Sequence, residues 1–339
     1  MTIEYLLAIF LLCATVIGVC GTRLAAVVDA LADRAGFGEA LTGAVLLGAV
    51  TSLSGSVLSV TAALEGQADL ALSNAYGGIA VQTVFLTVAD LSYRRVNLEH
   101  AAASAENILQ GALLICLLAI LLSASYSPDI TVLGVHPATL ILLAGYGYGI
   151  HLTYRARRAP MWRPKLTSET REDIPEEQNE GMNLSRLLVS FLILALILGV
   201  TGWLLQRVAG ALVERTGVSA LIVGMLFTSL ATSLPELVTT VAAVRRGAVT
   251  LAFSGIIGGN AYDTLFAAFA DIAYRPGSIY HAGDGLLLFW LAIAVLMTAV
   301  LIMGMLVREK RGIANIGFES SLVLLIYIAS VIILVLERG

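Results

Sequence analysis

Runs of about twenty apolar residues recur along this chain from end to end, the first being IEYLLAIFLLCATVIGVC at 3–20. A hydrocarbon core about 30 Å thick is crossed by roughly 20 helical residues, so runs of this length read as membrane spans. In lipid every backbone N–H and C=O must find its partner inside the protein, which leaves helices or a closed barrel. The ten-residue alternation of barrel strands is missing here, so the expected fold is all-α and integral to the membrane. Only 13% of the residues are charged and 58% are hydrophobic, against about 25% charge in an ordinary globular domain. Ten spans are expected, near 4–22, 40–64, 70–90, 105–123, 132–154, 185–207, 218–243, 249–271, 284–307 and 316–336. The first lacks Lys or Arg before its apolar run and has Arg23 after it. It therefore reads as a retained span rather than a secretory signal, which needs a positive leading segment.

Ten spans divide the connecting loops into two sets, and Lys and Arg divide very unequally between them. Sixteen fall on one set, and only Arg207, Arg215, Arg275 and Arg338 on the other. Positive charge marks the cytoplasmic side, so both termini are expected outside and the loop 155–184 inside. That loop, basic first and acidic later, is too short for a folded domain and reads as a solvated linker. Its Arg-rich end suits anionic lipid headgroups, making the bilayer itself a partner. A nucleic-acid partner is not expected, because basic clusters of that type are missing. Cys13, Cys20 and Cys116 lie in apolar segments and read as small core residues rather than disulfide or metal ligands.

The chain also repeats itself. At an offset of 181 residues, Thr51-Ser52-Leu53 meets Thr232-Ser233-Leu234, Gly77-Gly78 meets Gly258-Gly259, and Ala89-Asp90 meets Ala270-Asp271. From Thr51 to Arg94, 19 of 44 positions are identical across this gapless offset. Apolar bias alone does not match Asp, Arg, Tyr and Gly at one spacing. Five spans separate the copies, and an odd number turns the second upside down relative to the first. The expected architecture is two inverted five-helix repeats: 1–154, the linker 155–184, and 185–339. Inverted repeats of this kind are characteristic of secondary transporters, whose substrate site lies near the midplane between them.

Polar residues gather where such a site would lie. Glu236 follows Pro235 inside an apolar span, one helical turn from Thr232. The proline has no N–H and clashes with the preceding turn, so a kink or break is expected near 231–232, with freed carbonyl oxygens. Asp263 sits in the next span, one turn from Gly259. A carboxylate well inside a span is costly and by default a functional-site hypothesis. Two of them among hydroxyls and carbonyls make a hard oxygen site suited to Ca²⁺, Na⁺ or H⁺. Asp90 and Asp271, at span ends beside Tyr-Arg, read instead as local Asp–Arg pairs or helix-end anchors. Glu319 reads as a first-turn acid complementing the last helix's dipole.

TSLPE at 232–236 followed by GGNAYDTLF at 258–266 resembles the second α-repeat of the calcium:cation antiporters, the sodium/calcium exchanger superfamily. GFESS at 317–321 is also similar to that family's last span. The resemblance implies an antiporter in which the first and sixth helices slide across the other eight to alternate access. Its α-repeats would cover about 43–94 and 224–275, and inorganic cations would be substrates with no resident cofactor. The ion-binding positions it implies are Thr232, Ser233, Glu236 and Asp263 in the second half, with Thr51, Ser52 and Gln82 in the first. Gly55 falls where the family's first-repeat Glu would be, Ser54 where its proline would be, and Ile79 where its Asn would be. The first half is thus degenerate where ions bind. Two carboxylates still neutralise one divalent ion, but compensating several Na⁺ is harder because an unpaired charge in a low-dielectric site is expensive.

The resulting expectation is a plasma-membrane cation antiporter, exchanging Ca²⁺ or another cation for Na⁺ or H⁺ with altered coupling. The alternative is a transporter-fold protein that no longer exchanges ions and serves as a sensor or partner subunit. A channel remains a rival to a carrier. An enzyme is not expected, since the sequence holds no HExxH, nucleophile elbow or P-loop.

Overall fold

A computed structural model describes residues 2–35, 48–93, 96–158, 165, 184–310, 312 and 317–338. The described residues form helices joined by short connections and one isolated bridge between Val132 and Val135. The first half holds α1 (Ile3–Ala35), α2 (Gly48–Thr51), α3 (Leu53–Leu64), α4 (Ala68–Ser92), α5 (Leu98–Ala102), α6 (Ala105–Tyr126) and α7 (Pro137–Arg158). The second holds α8 (Leu184–Thr216), α9 (Ala220–Thr232), α10 (Leu234–Arg246), α11 (Val249–Ala273), α12 (Ile279–Ala282), α13 (Leu286–Val307) and α14 (Phe318–Arg338). The front of the first repeat (residues 43–47) and most of the 155–184 linker lie outside the described residues.

The 181-residue offset governs the whole fold, not just the stretch where identities are dense. It superposes both ends of α1 on those of α8, α4 on α11 and α6 on α13. Even the turn ending α3 has its counterpart after α10, with Gly66 at φ +76° and Gly247 at φ +91°, a region that glycine enters without a Cβ penalty.

Six helices are long and apolar enough to cross a membrane: α4, α6, α8, α13, α14 and Ile3–Val28 of α1. A seventh results if the bent pair α9–α10 is one span. The protein is therefore a multi-pass membrane protein. The other predicted spans fall on the 12-residue α3 and on α7 and α11. Helices α1 and α8 run 33 residues each, well beyond the apolar stretches at 4–22 and 185–207. Hydropathy marks where lipid begins, whereas helical hydrogen bonding continues past it.

Helices α4 and α11 form the centre. Most of α4 is buried, and α11 packs along it. One apolar core surrounds one end of this pair, with Leu114, Leu117, Trp290 and Leu291 from α6 and α13. A second surrounds the other end, including α5 and Val323 of α14. Helices α1 and α8 pack on each other along one flank, over Leu58 of α3 and Ala231 of α9.

Both halves break their second span at a serine. Ser233 (φ −93°, ψ 5°) separates α9 from α10, whose axes bend by 45°. Ser52 (φ −83°, ψ 5°) separates α2 from α3 in the same way. The break expected from Pro235 is present one residue before α10, but the first half breaks too, with Ser54 in place of the proline. Proline is thus not the only cause. In both halves the break is crossed by a glycine of the long flanking helix. A Cβ on Gly21 of α1 would overlap the Pro235 ring, and one on Gly202 of α8 would overlap the Ser54 carbonyl.

Asp90 and Asp271 are anchors, as their positions at span ends suggested. Asp90 Oδ1 accepts the Leu98 N–H at the start of α5 (2.8 Å), and its Oδ2 accepts the Gly317 N–H just before α14 (3.1 Å). Asp271 repeats this at the opposite end, accepting Ile279 N–H (3.2 Å) and His136 N–H (2.8 Å). Each aspartate ties its own half to the last helix of the other. Replacing Gly202 by Leu forces α8 away from the α2–α3 break. Overpacking of this kind costs roughly 1–3 kcal/mol, so the thermal unfolding midpoint in detergent is expected to fall. An unchanged midpoint would rule out the close crossing at Ser54.

Candidate functional site

The two broken spans meet α4 and α11 at the middle of the molecule. Pro235 occupies the first turn of α10, where its missing N–H costs nothing, and the next residue is Glu236. An acid in this position also faces the positive end of the helix dipole. Glu236 is 4% exposed and Asp263, on α11, is 1% exposed.

Ser52, at the first-half break, lies between them. Its Oγ is 2.6 Å from Asp263 Oδ1 and 3.2 Å from Glu236 Oε1. A hydroxyl has one proton, so Ser52 donates to one carboxylate and leaves the other short. Thr51 also reaches the Glu236 carboxylate. Gln82 of α4 spends both amide protons here, on Asp263 Oδ2 (2.7 Å) and on Ser233 Oγ (3.0 Å). The structure thus brings Ser52, Gln82, Ser233, Glu236 and Asp263 into one network, with Thr51 at its edge.

Thr232 goes elsewhere. Its hydroxyl lies 3.2 Å from the Ser229 carbonyl and 3.5 Å from Asn74 Oδ1. Asn74 organises an adjoining set, accepting from Thr228 (2.9 Å) and donating to Ser59 (3.1 Å) and the Gly55 carbonyl (3.3 Å). Sequence reasoning did not single out Asn74, although Asn74, Gly78 and Gln82 recur every four residues on one face of α4. Asn260 was also passed over as a site residue; its amide donates to Thr83 Oγ1 (2.9 Å).

Three buried oxygens of this region have no hydrogen-bond partner: Glu236 Oε2, Gln82 Oε1 and Asn260 Oδ1. A buried polar atom left unpaired typically costs about 1–3 kcal/mol. Two carboxylates face two hydroxyls and one amide, all neutral, so the network is short of positive charge. Hard oxygens with unused lone pairs suit Ca²⁺, Na⁺ or a proton.

Gly55, the first-half counterpart of Glu236, does not leave an opening. A Cβ there would lie 2.7 Å from Phe266 Cε2 and 3.6 Å from Thr232 Cβ. The Phe266 ring, from the opposite half, fills the space into which a side chain at 55 would project.

The sodium/calcium exchanger protein family matches residues 5–149 and 186–336, which leaves out the linker and little else. The chain belongs to this family. The family, and the solved structures similar to the chain, are exchangers rather than enzymes. Among proteins similar to it, "Inner membrane protein YrbG" of Escherichia coli (strain K12) is 26% identical over 260 residues, 76% of each chain. "Putative antiporter CaxA" of Alkalimonas amylolytica is 25% identical over 273 residues, 80% of each. The crystal structure of the H⁺/Ca²⁺ exchanger CAX superposes with a TM-score of 0.71 over 96% of this chain and 82% of that one. At 14% identity it speaks for the fold.

Gly55→Glu is expected to destabilise the protein by the roughly 1–3 kcal/mol of an overpacked core. Adding Phe266→Ala to the same chain opens the space, and the pair should lose less than the two single changes summed. Strict additivity in thermal unfolding would show that Phe266 does not fill that position.

Proposed function

We propose that this chain is a secondary-active cation antiporter working by alternating access, with Ca²⁺ or another cation exchanged for Na⁺ or H⁺. Family membership and fold support the antiporter. The ion site proper is assigned to Glu236 and Asp263, with Ser52, Thr51, Ser233 and Gln82 as neutral ligands and Thr232 as an outer member. The observation that carries the assignment is the Ser52 hydroxyl held between two buried carboxylates, one of which keeps an unpartnered oxygen. Every direct partner named here comes from a different half or a different helix than the acid it serves. Relative motion of the helices therefore changes the ligand set, as alternating access requires.

The coupling is altered because Gly55 supplies no charge. Two carboxylates balance one divalent ion, two monovalent ions, or protons taken up one at each acid. A larger set of Na⁺ ions would leave positive charge uncompensated in a low-dielectric site. Ten spans in two inverted halves, with both termini outside and 155–184 cytoplasmic, accord with the 181-residue offset and with the unequal distribution of Arg and Lys. The same offset argues for 1–154 and 185–339 as the two structural halves. An inner-membrane relative favours the plasma membrane as its location.

Reconstituted protein is expected to take up ⁴⁵Ca²⁺ or ²²Na⁺ saturably and only with a counter-ion or proton gradient. Glu236→Gln should abolish that flux while the protein still folds. Flux that survives Glu236→Gln would sink the site assignment. Flux without a counter-ion would point to a channel, and none in the wild type to the non-exchanging sensor.

A further inference from the structure

The two Asp anchors are built alike, but the pockets around them are not. At the Asp271 end, Thr139 Oγ1 lies 2.6 Å from Asp271 Oδ2 and 2.7 Å from the Tyr280 hydroxyl. The 181-residue offset carries Thr139 to Ser320 and Tyr280 to Glu99. Ser320 Oγ accordingly faces Glu99 Oε1, at 3.4 Å. A third exchange completes the set: Ala138 at one end becomes Glu319 at the other. An arrangement with one acid at the Asp271 end thus holds three at the Asp90 end.

All three are enclosed. Glu99 and Glu319 are 0% exposed and Asp90 is 1% exposed. Both oxygens of Asp90 are engaged by backbone amides. Glu99 Oε2 and both carboxylate oxygens of Glu319 have no hydrogen-bond partner, and the two glutamates lie against one another. Glu319 stands in the first turn of α14, as expected, and its carboxylate is fully buried there. It packs so closely on Gly304 and Gly317 that a Cβ at either would overlap it. The opposite end shows that Asp alone suffices to anchor the helices. The glutamate pair is additional.

We propose that Glu99 and Glu319 form a second cation site, distinct from the transport site, that binds a proton and is loaded from the Arg-rich side. One carboxyl then donates to the other's carboxylate, which uses the unpartnered oxygens and leaves one negative charge instead of two. Release of that proton to water sets two like charges side by side among α4, α5 and α14 and loosens α14 from the end of α4. The site needs no room beyond what a hydrogen occupies, in keeping with the tight packing at Gly304 and Gly317.

Among the described residues the charged surroundings are Asp90 from α4, His100 on α5, and Arg308, Glu309 and Lys310 after α13; α11 contributes apolar side chains such as Phe253 and Ile257. The Arg308 guanidinium donates to the backbone carbonyls of His100 and Lys165. Burial, followed by the nearby Asp90 and Glu319 carboxylates, holds the Glu99 carboxyl protonated well above the usual range. A group whose folded pKa is raised stabilises the fold at low pH and loses that contribution as pH rises through the folded value.

Binding is tested without transport, so its failure is distinguishable from failure of the antiporter reading. Thermal unfolding of the full chain in detergent is followed from about pH 5 to 8. The wild-type midpoint should fall by about 2–4 °C per pH unit for one retained proton. Glu99→Gln and Glu319→Gln should each flatten that slope, and Glu236→Gln should leave this part of it intact. If the Gln variants do not fold, Glu99→Tyr with Glu319→Ala, copying the Tyr280 and Ala138 end, provides the same comparison. An unchanged slope in these variants overturns the proposal. So does stabilisation by Ca²⁺, Na⁺ or K⁺ at fixed pH that Glu319→Gln removes and Glu236→Gln does not, since that marks a metal site.

Discussion

Two carboxylates held among apolar helices are expensive, and the centre of this molecule is organised around meeting that expense. Insertion measurements put one such charge at about 3 kcal/mol. Here the polar groups that offset it come from three separate segments: the break at Ser52, Gln82 of α4, and the start of α10 just after Ser233. The break at Ser52 is what brings its hydroxyl between the two acids. The breaks, the glycines crossing them and the burial of α4 and α11 all follow from bringing those donors together.

Repetition at the 181-residue offset brings equivalent positions together, and divergence then assigns them different work. Glu236 and Gly55 occupy matching positions, yet one carries charge and the other yields its space to Phe266. Gln82 and Asp263 also match, and they bond to each other across the pseudo-twofold axis. The amide is the neutral partner of its own counterpart. A symmetric ancestor with two acids here would face like-charge repulsion that this pair avoids.

Much of this was legible in the sequence because it is written at fixed spacing. The 181-residue offset, the apolar runs and Pro235-Glu236 all announce themselves locally. The break at Ser52 did not, since without a proline it depends on what Gly202 and the distant carboxylates do. Asn74 was hidden for a related reason: Thr228, which donates to it, is distant in sequence and becomes its neighbour only when the halves interlock. Glu319 could be placed in a first turn from sequence, but the direction of its carboxylate is set by Gly304 on another helix. Local pattern reports periodicity and breaks; it does not report which distant element closes over a side chain.

The crossed anchors bear on how such a chain could have arisen. Asp90 holds the amide before α14, and Asp271 holds the amide before α7. Each half therefore offers one clasp and one eyelet, at matching residue positions. Two identical polypeptides, each carrying one such half, would engage each other at both ends without any joining segment. Fusion of the two genes would have changed the covalent connection and left the fit intact, after which each end became free to acquire residues the other lacks.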